Sequence, residues 1–269
     1  MNIESKVMNT IKKYKLCNKK EKILVALSGG KDSAVVAYLL KKFSYNIEAI
    51  YIDLRIGRYS ENCLKEVKKL CGELQIKLHV YDMKKEMNRT IKHFWKTVGK
   101  KHRLNNCAIC GVFKKWILNK EARKFKADKI ATGHNLDDEA QTFLMNIFKG
   151  SPKLSANSGP IIKNVSDRKF IPRIKPLFYV FEEDIRKYIL EKKLPFVEGK
   201  CPYVRDSYRV EVREFLNSLS GKDKENIIRN FEQLQNKMAK IKDDKMQYCR
   251  ICGEPSRKNI CKKCELMRI

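Results

Sequence analysis

The first residues with readable chemistry are Ser28-Gly29-Gly30-Lys31-Asp32-Ser33. An unbroken apolar run, residues 23–27, precedes them in the manner of a buried parallel strand. Residues 34–40 follow as an apolar stretch too long for a turn, and they read as a helix. A strand, a glycine turn and a helix start together make an anion site. The first helical N–H groups are unpaired there, and the helix dipole is positive. Two glycines let the backbone approach phosphate oxygens closely. Lys31 adds a point charge, and Ser28 and Ser33 add hydroxyl donors. The common P-loop is excluded: Val25 stands where that motif needs glycine, and Asp32 where it needs Ser or Thr.

The cysteines carry the second chemistry. Six of the ten form three C-x-x-C pairs: Cys107/Cys110, Cys249/Cys252 and Cys261/Cys264. The last two pairs are separated by eight residues, a spacing that suits four thiolates on a tetrahedral Zn²⁺. So short a segment builds no core of its own, so the metal must fold it. Cys107 and Cys110 open a helix, a position expected to lower a thiol pKa. The loop cysteine with reach to them is Cys201, in Gly199-Lys200-Cys201-Pro202. Three thiolates without a fourth protein ligand fit a [4Fe-4S] cluster with one open iron. They also fit a redox or persulfide pair with Cys201 incidental, or a zinc site completed elsewhere, and spacing does not separate these. Cys17, Cys63 and Cys71 read as small apolar residues. Lys114 lies one helical turn beyond Cys110, placed to stabilise an anion. Gly133-His134-Asn135-Leu136-Asp137-Asp138-Glu139 is a second glycine-started turn into a helix. Asp138 is its candidate for holding Mg²⁺ or orienting substrate. First-turn acids that merely complement the dipole are the alternative.

An alternation of strands and helices must position these groups. Residues 2–15 form an amphipathic helix, with strands at 47–54, 76–81 and 129–132. Residues 55–60 form a loop ending at a helix cap, Ser60, and residues 64–74 continue as that helix. Helices are predicted around 87–98 and over 107–125, 140–148, 181–190, 209–219 and 226–241. Residues 150–167 read as a loop, and Pro172 and Pro176 hold 170–177 extended. This is an α/β chain with a doubly wound parallel sheet and ligands at the C-terminal strand ends. Its divisions are an N-terminal helix over 1–20, a catalytic domain over 21–205, a helical extension over 206–245 and a separate cysteine module over 246–269. The net charge of +28 in 269 residues makes a polyanion the expected partner. No apolar run is long enough to span a bilayer and no signal peptide is legible, so no membrane partner and a cytoplasmic location are expected.

Residues 28–33 resemble the PP-loop, SGGxDS, of the ATP pyrophosphatase superfamily, whose members cleave ATP between the α and β phosphates. A carboxylate such as Asp32 is tolerable among phosphates when it holds Mg²⁺. Taken together, the motifs resemble the TtcA/TtuA family of tRNA thiolation enzymes. That family joins a PP-loop to a C-x-x-C on a following helix, a GHNxDDE turn and a late third cysteine, and the likeness covers about the whole chain. Ile56-Gly57-Arg58-Tyr59-Ser60, Ser158-Gly159-Pro160 and the terminal cysteine module are closer to the TtuA and archaeal–eukaryotic uridine-thiolase branch. That branch begins with a zinc finger, whereas Cys17 alone precedes the PP-loop here.

The resemblance implies ATP and Mg²⁺ bound by Ser28, Gly29, Gly30, Lys31, Asp32, Ser33, Asp53 and Gly133. It implies a [4Fe-4S] cluster on Cys107, Cys110 and Cys201, with Lys114, Asp138 and Asp32 catalytic. Zn²⁺ would sit on Cys249, Cys252, Cys261 and Cys264. The implied reaction adenylates the C2 oxygen of a tRNA uridine and replaces it with sulfur carried on the open iron. The donor is sulfide or the thiocarboxylate of a ubiquitin-like protein. Homodimers are implied as well, although no apolar stripe marks an interface. Two other readings compete. A lysidine or amide synthetase would keep the PP-loop but has no use for three site cysteines. A basic zinc-ribbon RNA-binding protein would not catalyse at all.

Overall fold

The computed structural model describes residues 2–268 except 103, 151, 157, 163–166, 168, 200, 205–206 and 239–246. In chain order its elements begin with α1 (Ile3–Tyr14), β1 (Lys22–Leu27), α2 (Lys31–Lys42), β2 (Asn46–Asp53), α3 (Arg58–Glu73) and β3 (Leu78–Asp82). Then come α4 (Met83–Met87), α5 (Ile91–His102), α6 (Asn106–Lys124), β4 (Lys129–Ala131), α7 (Leu136–Phe148), α8 (Pro152–Ala156), β5 (Ile161–Ile162) and β6 (Arg173–Ile174). The chain closes with α9 (Glu182–Glu191), α10 (Ser207–Ser218), α11 (Gly221–Met238), β7 (Gln247–Tyr248), β8 (Pro255–Ser256) and α12 (Lys262–Met267).

Six strands form one sheet in the order β3-β2-β1-β4-β6-β5. The first five are parallel, and β5 pairs antiparallel with β6 at the edge. β1 sits in the middle with Ile23, Leu24 and Val25 fully buried, as its unbroken apolar run requires. The strand order reverses between β1 and β4. In an open parallel sheet this switch point is where a crevice opens beyond the strand ends. The glycine turns after β1 and after β4 both face that crevice. α1 lays Ile3, Val7 and Ile11 into the main core, its N-terminus capped by the Asn2 side chain.

Several elements differ from the sequence reading. Ser60 does not cap α3. The helix starts three residues earlier, at Arg58 with Gly57 as its cap, and the Ser60 hydroxyl accepts from Ile56 N (3.0 Å), folding the entry loop back on the first turn. The helix predicted around 87–98 is broken at Asn88, which is left-handed (φ 51°) and ends α4 before α5 begins. The loop over 150–167 contains α8 and β5. α11 begins at Gly221 and ends at Met238. Its predicted end at residue 241, and the expected boundaries at 205/206 and 245/246, lie outside the described residues. Among the described residues, no helix is long and apolar enough to cross a membrane.

The cysteine module packs onto α6. Leu266 is fully buried in the cluster formed by Ile109, Phe113 and Ile117 of α6 with Ile91 and Phe94 of α5. Trp116 packs beneath the cysteines, and the Lys263 ammonium stands 4.1 Å over its ring. Arg123 pairs with Glu254, and Asn119 Nδ2 donates to the same carboxylate at 3.3 Å.

Candidate functional site

The PP-loop is held by its own hydroxyls. Ser33 Oγ accepts from Ser28 N (3.1 Å) and donates to Gly30 O (3.0 Å), and Gly30 N donates to Ser28 Oγ (3.3 Å). Gly29 is left-handed (φ 83°), and a Cβ there would fall 2.6 Å from Cys63 Cβ, so α3 closes over the loop against glycine alone. Gly29 O accepts from Val197 N at 2.8 Å, tying the loop to the segment that leads to Cys201. Lys31 Nζ lies 3.1 Å from Asp32 and 2.8 Å from Glu182. Burial works against its charge, but these two carboxylates outweigh it and raise its pKa. Arg213 also pairs with Glu182.

The second turn touches the first. A Cβ on Gly133 would lie 2.7 Å from Ser33 N and 2.9 Å from the Asp32 carbonyl carbon. Asn135 caps α7 in a capping box with Asp138, and its amide donates to Asp32 Oδ1 (3.0 Å). The three acids of this turn divide their work. Asp137 accepts from Glu182 N (2.8 Å) and Lys224 Nζ (2.9 Å). Glu139 forms a buried ion pair with Lys175 at 2.7 Å. Asp138 faces the PP-loop, where burial, and next the charge of Asp32, push its pKa from 3.8 to about 6. Two carboxylates drawn together this way suit a divalent cation. Asp53, buried at the end of β2, accepts from Arg55 N (2.7 Å). Arg55 also pairs with Asp82 of β3.

A raised carboxyl pKa has a fixed sign. The folded chain holds the Asp138 proton more tightly than the unfolded chain. Stability therefore falls as pH rises from about 4 through about 6, and the full cost is present above that. Without ATP or Mg²⁺, Asp138→Asn is expected to melt above the unsubstituted protein at pH 7.5, with the gap closing near pH 4 while catalysis is lost. Thermal melts at the two pH values check this; a variant that melts lower at pH 7.5 contradicts it.

Cys107 lies in the first turn of α6 and Cys110 at the start of the second, and Asn105 caps the helix by accepting from Ala108 N (2.8 Å). Cys201 packs with Cys110 against one apolar cluster and is an electrostatic neighbour of both Cys110 and Cys63. Lys114 acts on the same two thiols. The expected lowering of the thiol pKa by the helix start does not hold for Cys110. Burial pushes it up to about 11 against the pull of Lys114. The buried Trp95 indole N–H has no full hydrogen-bond partner and acts on the Cys110 sulfur. Cys110 and Cys201 share this apolar ground with a spare N–H donor, a setting that fits an iron–sulfur cluster, whose sulfurs take such bonds; Cys107 is exposed, and the three sulfurs are not drawn together as a ligand set among the described residues.

At the other end of α6, the ligand atoms of Cys249, Cys252, Cys261 and Cys264 lie within 4.8 Å of one another. Cys261 N donates to Cys249 Sγ (3.2 Å) and Cys264 N to Cys261 Sγ (3.4 Å), the knuckle bonds of a tetrahedral thiolate site. Burial opposes the Cys249 thiolate, but the N–H groups of Cys261, Cys252 and Ile251 prevail and bring its pKa to about 6. This set fits Zn²⁺.

Sequence reasoning missed Cys63, Glu182, Arg213 and Lys175. Cys63 read as an ordinary helix residue, and it is buried, yet it separates the PP-loop from the other thiols. No spacing marks it, because the juxtaposition arises from α3 crossing the sheet.

Comparison with known proteins bears on the whole chain. The PP-loop domain family matches residues 1–219. A tRNA-5-methyluridine(54) 2-sulfurtransferase of Pyrococcus horikoshii is 40% identical over 266 residues, 97% of this chain and 83% of that protein. The cytoplasmic tRNA 2-thiolation protein 1 of Anopheles gambiae is 33% identical over 273 residues, covering 98% and 79%. The U34-tRNA thiolase NcsA of Methanococcus maripaludis, solved with its [4Fe-4S] cluster, superposes with a TM-score of 0.82 at 31% identity, covering 99% of this chain and 86% of that one. The chain belongs to the PP-loop family, in its TtcA/TtuA group of tRNA thiolation enzymes.

Proposed function

We propose that the protein is an ATP-dependent tRNA sulfurtransferase that makes 2-thiouridine. The observation that carries this reading is continuity. Gly29 of the PP-loop abuts Cys63, and Lys114 and Cys201 act on both Cys63 and Cys110. This chain of neighbours supports a reading in which the phosphate loop and the thiols serve one reaction. A lysidine or amide synthetase has no use for such thiols, and a simple RNA-binding protein has no use for the loop.

ATP lies with its phosphates on the N–H groups at the start of α2, and Lys31 exchanges Glu182 for phosphate oxygens. Asp32 and Asp138 would hold Mg²⁺, which would supply positive charge to the leaving pyrophosphate. Asp53 takes the nucleoside end. The C2 oxygen of uridine attacks the α-phosphorus, the bond to pyrophosphate breaks, and the adenylated oxygen becomes a leaving group. A sulfur nucleophile then adds at C2 and AMP departs with that oxygen. Cys107, Cys110 and Cys201 would hold a [4Fe-4S] cluster, which supplies a site to carry sulfur from sulfide or from a thiocarboxylate carrier protein. Lys114 steadies the negative charge that builds beside them. Zn²⁺ on the C-terminal cysteines is structural, and the cytoplasm is the compartment that suits reduced thiols.

Anaerobic incubation with unmodified tRNA, Mg-ATP and sulfide tests this. Nucleoside mass spectrometry should find 2-thiouridine, with one AMP and one pyrophosphate per base. Incorporation of an amine in place of sulfur, or no tRNA-dependent pyrophosphate, would overturn it.

A further inference from the structure

Cations from four parts of the chain converge beside the crevice on the side away from the PP-loop. β4 pairs with β6, and Thr132 N donates to Ile174 O at 3.0 Å. This register sets Ile130 opposite Arg173 and brings Thr132 beside Lys175, and His134 Nδ1 meets Thr132 Oγ1 at 3.0 Å. Arg173 reaches across to α6, donating from Nη2 to Lys115 O (3.2 Å), while its buried Nε–H has no acceptor. The Lys115 ammonium is close enough to Arg173, Lys175, Arg209 and Arg257 to be repelled by all four, and burial and these charges lower its pKa. Burial, Lys175, Arg209 and Lys115 likewise hold His134 down at about 4. Glu139, the acid that acts on His134, is already paired with Lys175.

Like charges gathered against their own repulsion call for an anion. Lys115, Arg209 and Arg257 all reach the surface. The PP-loop already claims the phosphates of ATP, and β4 stands between β1 and β6. Lys115 directly follows Lys114 on α6, so the two ammonium groups leave the same turn of that helix towards different sides. A nucleotide that delivers its base to the crevice brings a phosphodiester on either side of it. Arg257 sits on the cysteine module, so one RNA backbone would cross both parts of the protein.

We propose that Lys115, Arg173, Arg209 and Arg257, with His134 beside them, dock the RNA phosphodiesters flanking the nucleotide that is thiolated. This inference rests on the function proposed above and names where its substrate is held. The test uses the full-length holoprotein and unmodified tRNA, with binding measured across a salt series for Lys115→Gln/Arg257→Gln. A second double variant, Lys68→Gln/Lys69→Gln, removes two exposed charges from α3 as a control. The first is expected to bind about tenfold more weakly, with its salt slope reduced by about one to two, while its ATP affinity is unchanged. The control is expected to keep the slope of the unsubstituted protein. Equal losses in both variants would reduce the cluster to general surface charge and overturn the proposal. A comparable loss of affinity for ATP or inorganic pyrophosphate would assign the cluster to the nucleotide and overturn it too. If the slopes separate as expected but tRNA is never thiolated, the docking site stands and the sulfurtransferase reading falls.

Discussion

Replacing Cys201 with alanine is expected to abolish tRNA thiolation and empty the iron site while leaving zinc content unchanged. The loop around Cys201 is anchored without its thiol. Val197 N donates to Gly29 O at 2.8 Å, Val204 N donates to Cys201 O at 3.1 Å, and Tyr203 packs against Trp95 with ring centroids 4.9 Å apart. Alanine is therefore expected to keep the fold and to remove one of the three thiols proposed to hold the cluster. ATP affinity should survive, because the PP-loop bonds do not involve this side chain. Iron, acid-labile sulfide, zinc and thiolation are measured together on anaerobically purified protein. Thiolation at the unsubstituted rate with iron retained would remove Cys201 from the site.

Breaking the four-cysteine site is expected to have the largest effect on stability. Cys264→Ser leaves three thiolates, and a structural Zn²⁺ contributes about 10–16 kcal/mol of apparent binding energy in small isolated modules. Without it the module loses its fold, and Leu266 leaves the cluster around Ile109 and Phe113. Those residues belong to the helix that carries Cys107 and Cys110, so both zinc and thiolation should fall. Leu266→Ala separates the two causes. It should keep zinc but lose roughly 2–5 kcal/mol, as buried leucine truncations do. Zinc analysis, thermal melts and limited proteolysis across residues 247–268 read the difference. A Cys264→Ser protein that melts and thiolates normally would show the module to be dispensable.

Much of this site was legible because its chemistry is local in sequence. The PP-loop needs a strand, a glycine turn and a helix start in succession, and residues 23–40 supply them in order. Two C-x-x-C pairs a short gap apart determine their own partner, and their sulfurs converge as the spacing requires. The rest depended on what the parallel sheet brings together. Asp137, Asp138 and Glu139 are consecutive acids with no visible ranking until Lys224, Asp32 and Lys175 arrive from elsewhere in the chain. The helix break at Asn88 and the early start of α3 at Arg58 were hidden because both stretches are polar enough to continue or to stop. Lys115 and Arg257 looked like two more charges in a lysine-rich chain until β4, β6 and α6 were placed side by side.

The central position of β1 also has a consequence for how the protein is made. β1 pairs with β2 soon after both leave the ribosome, but its other edge waits for β4, which begins at Lys129. At about 5–20 residues per second, that apolar edge stays bare for on the order of ten seconds. Throughout this interval the nascent chain offers an unpaired strand to its neighbours, the usual route to aggregation. The Gly133 turn, which presses on Ser33 and Asp32, is synthesised immediately after β4. One event of strand addition thus covers the exposed edge of β1 and brings the Gly133 turn against the PP-loop, and the open edge passes to the much shorter β4 until β6 is made.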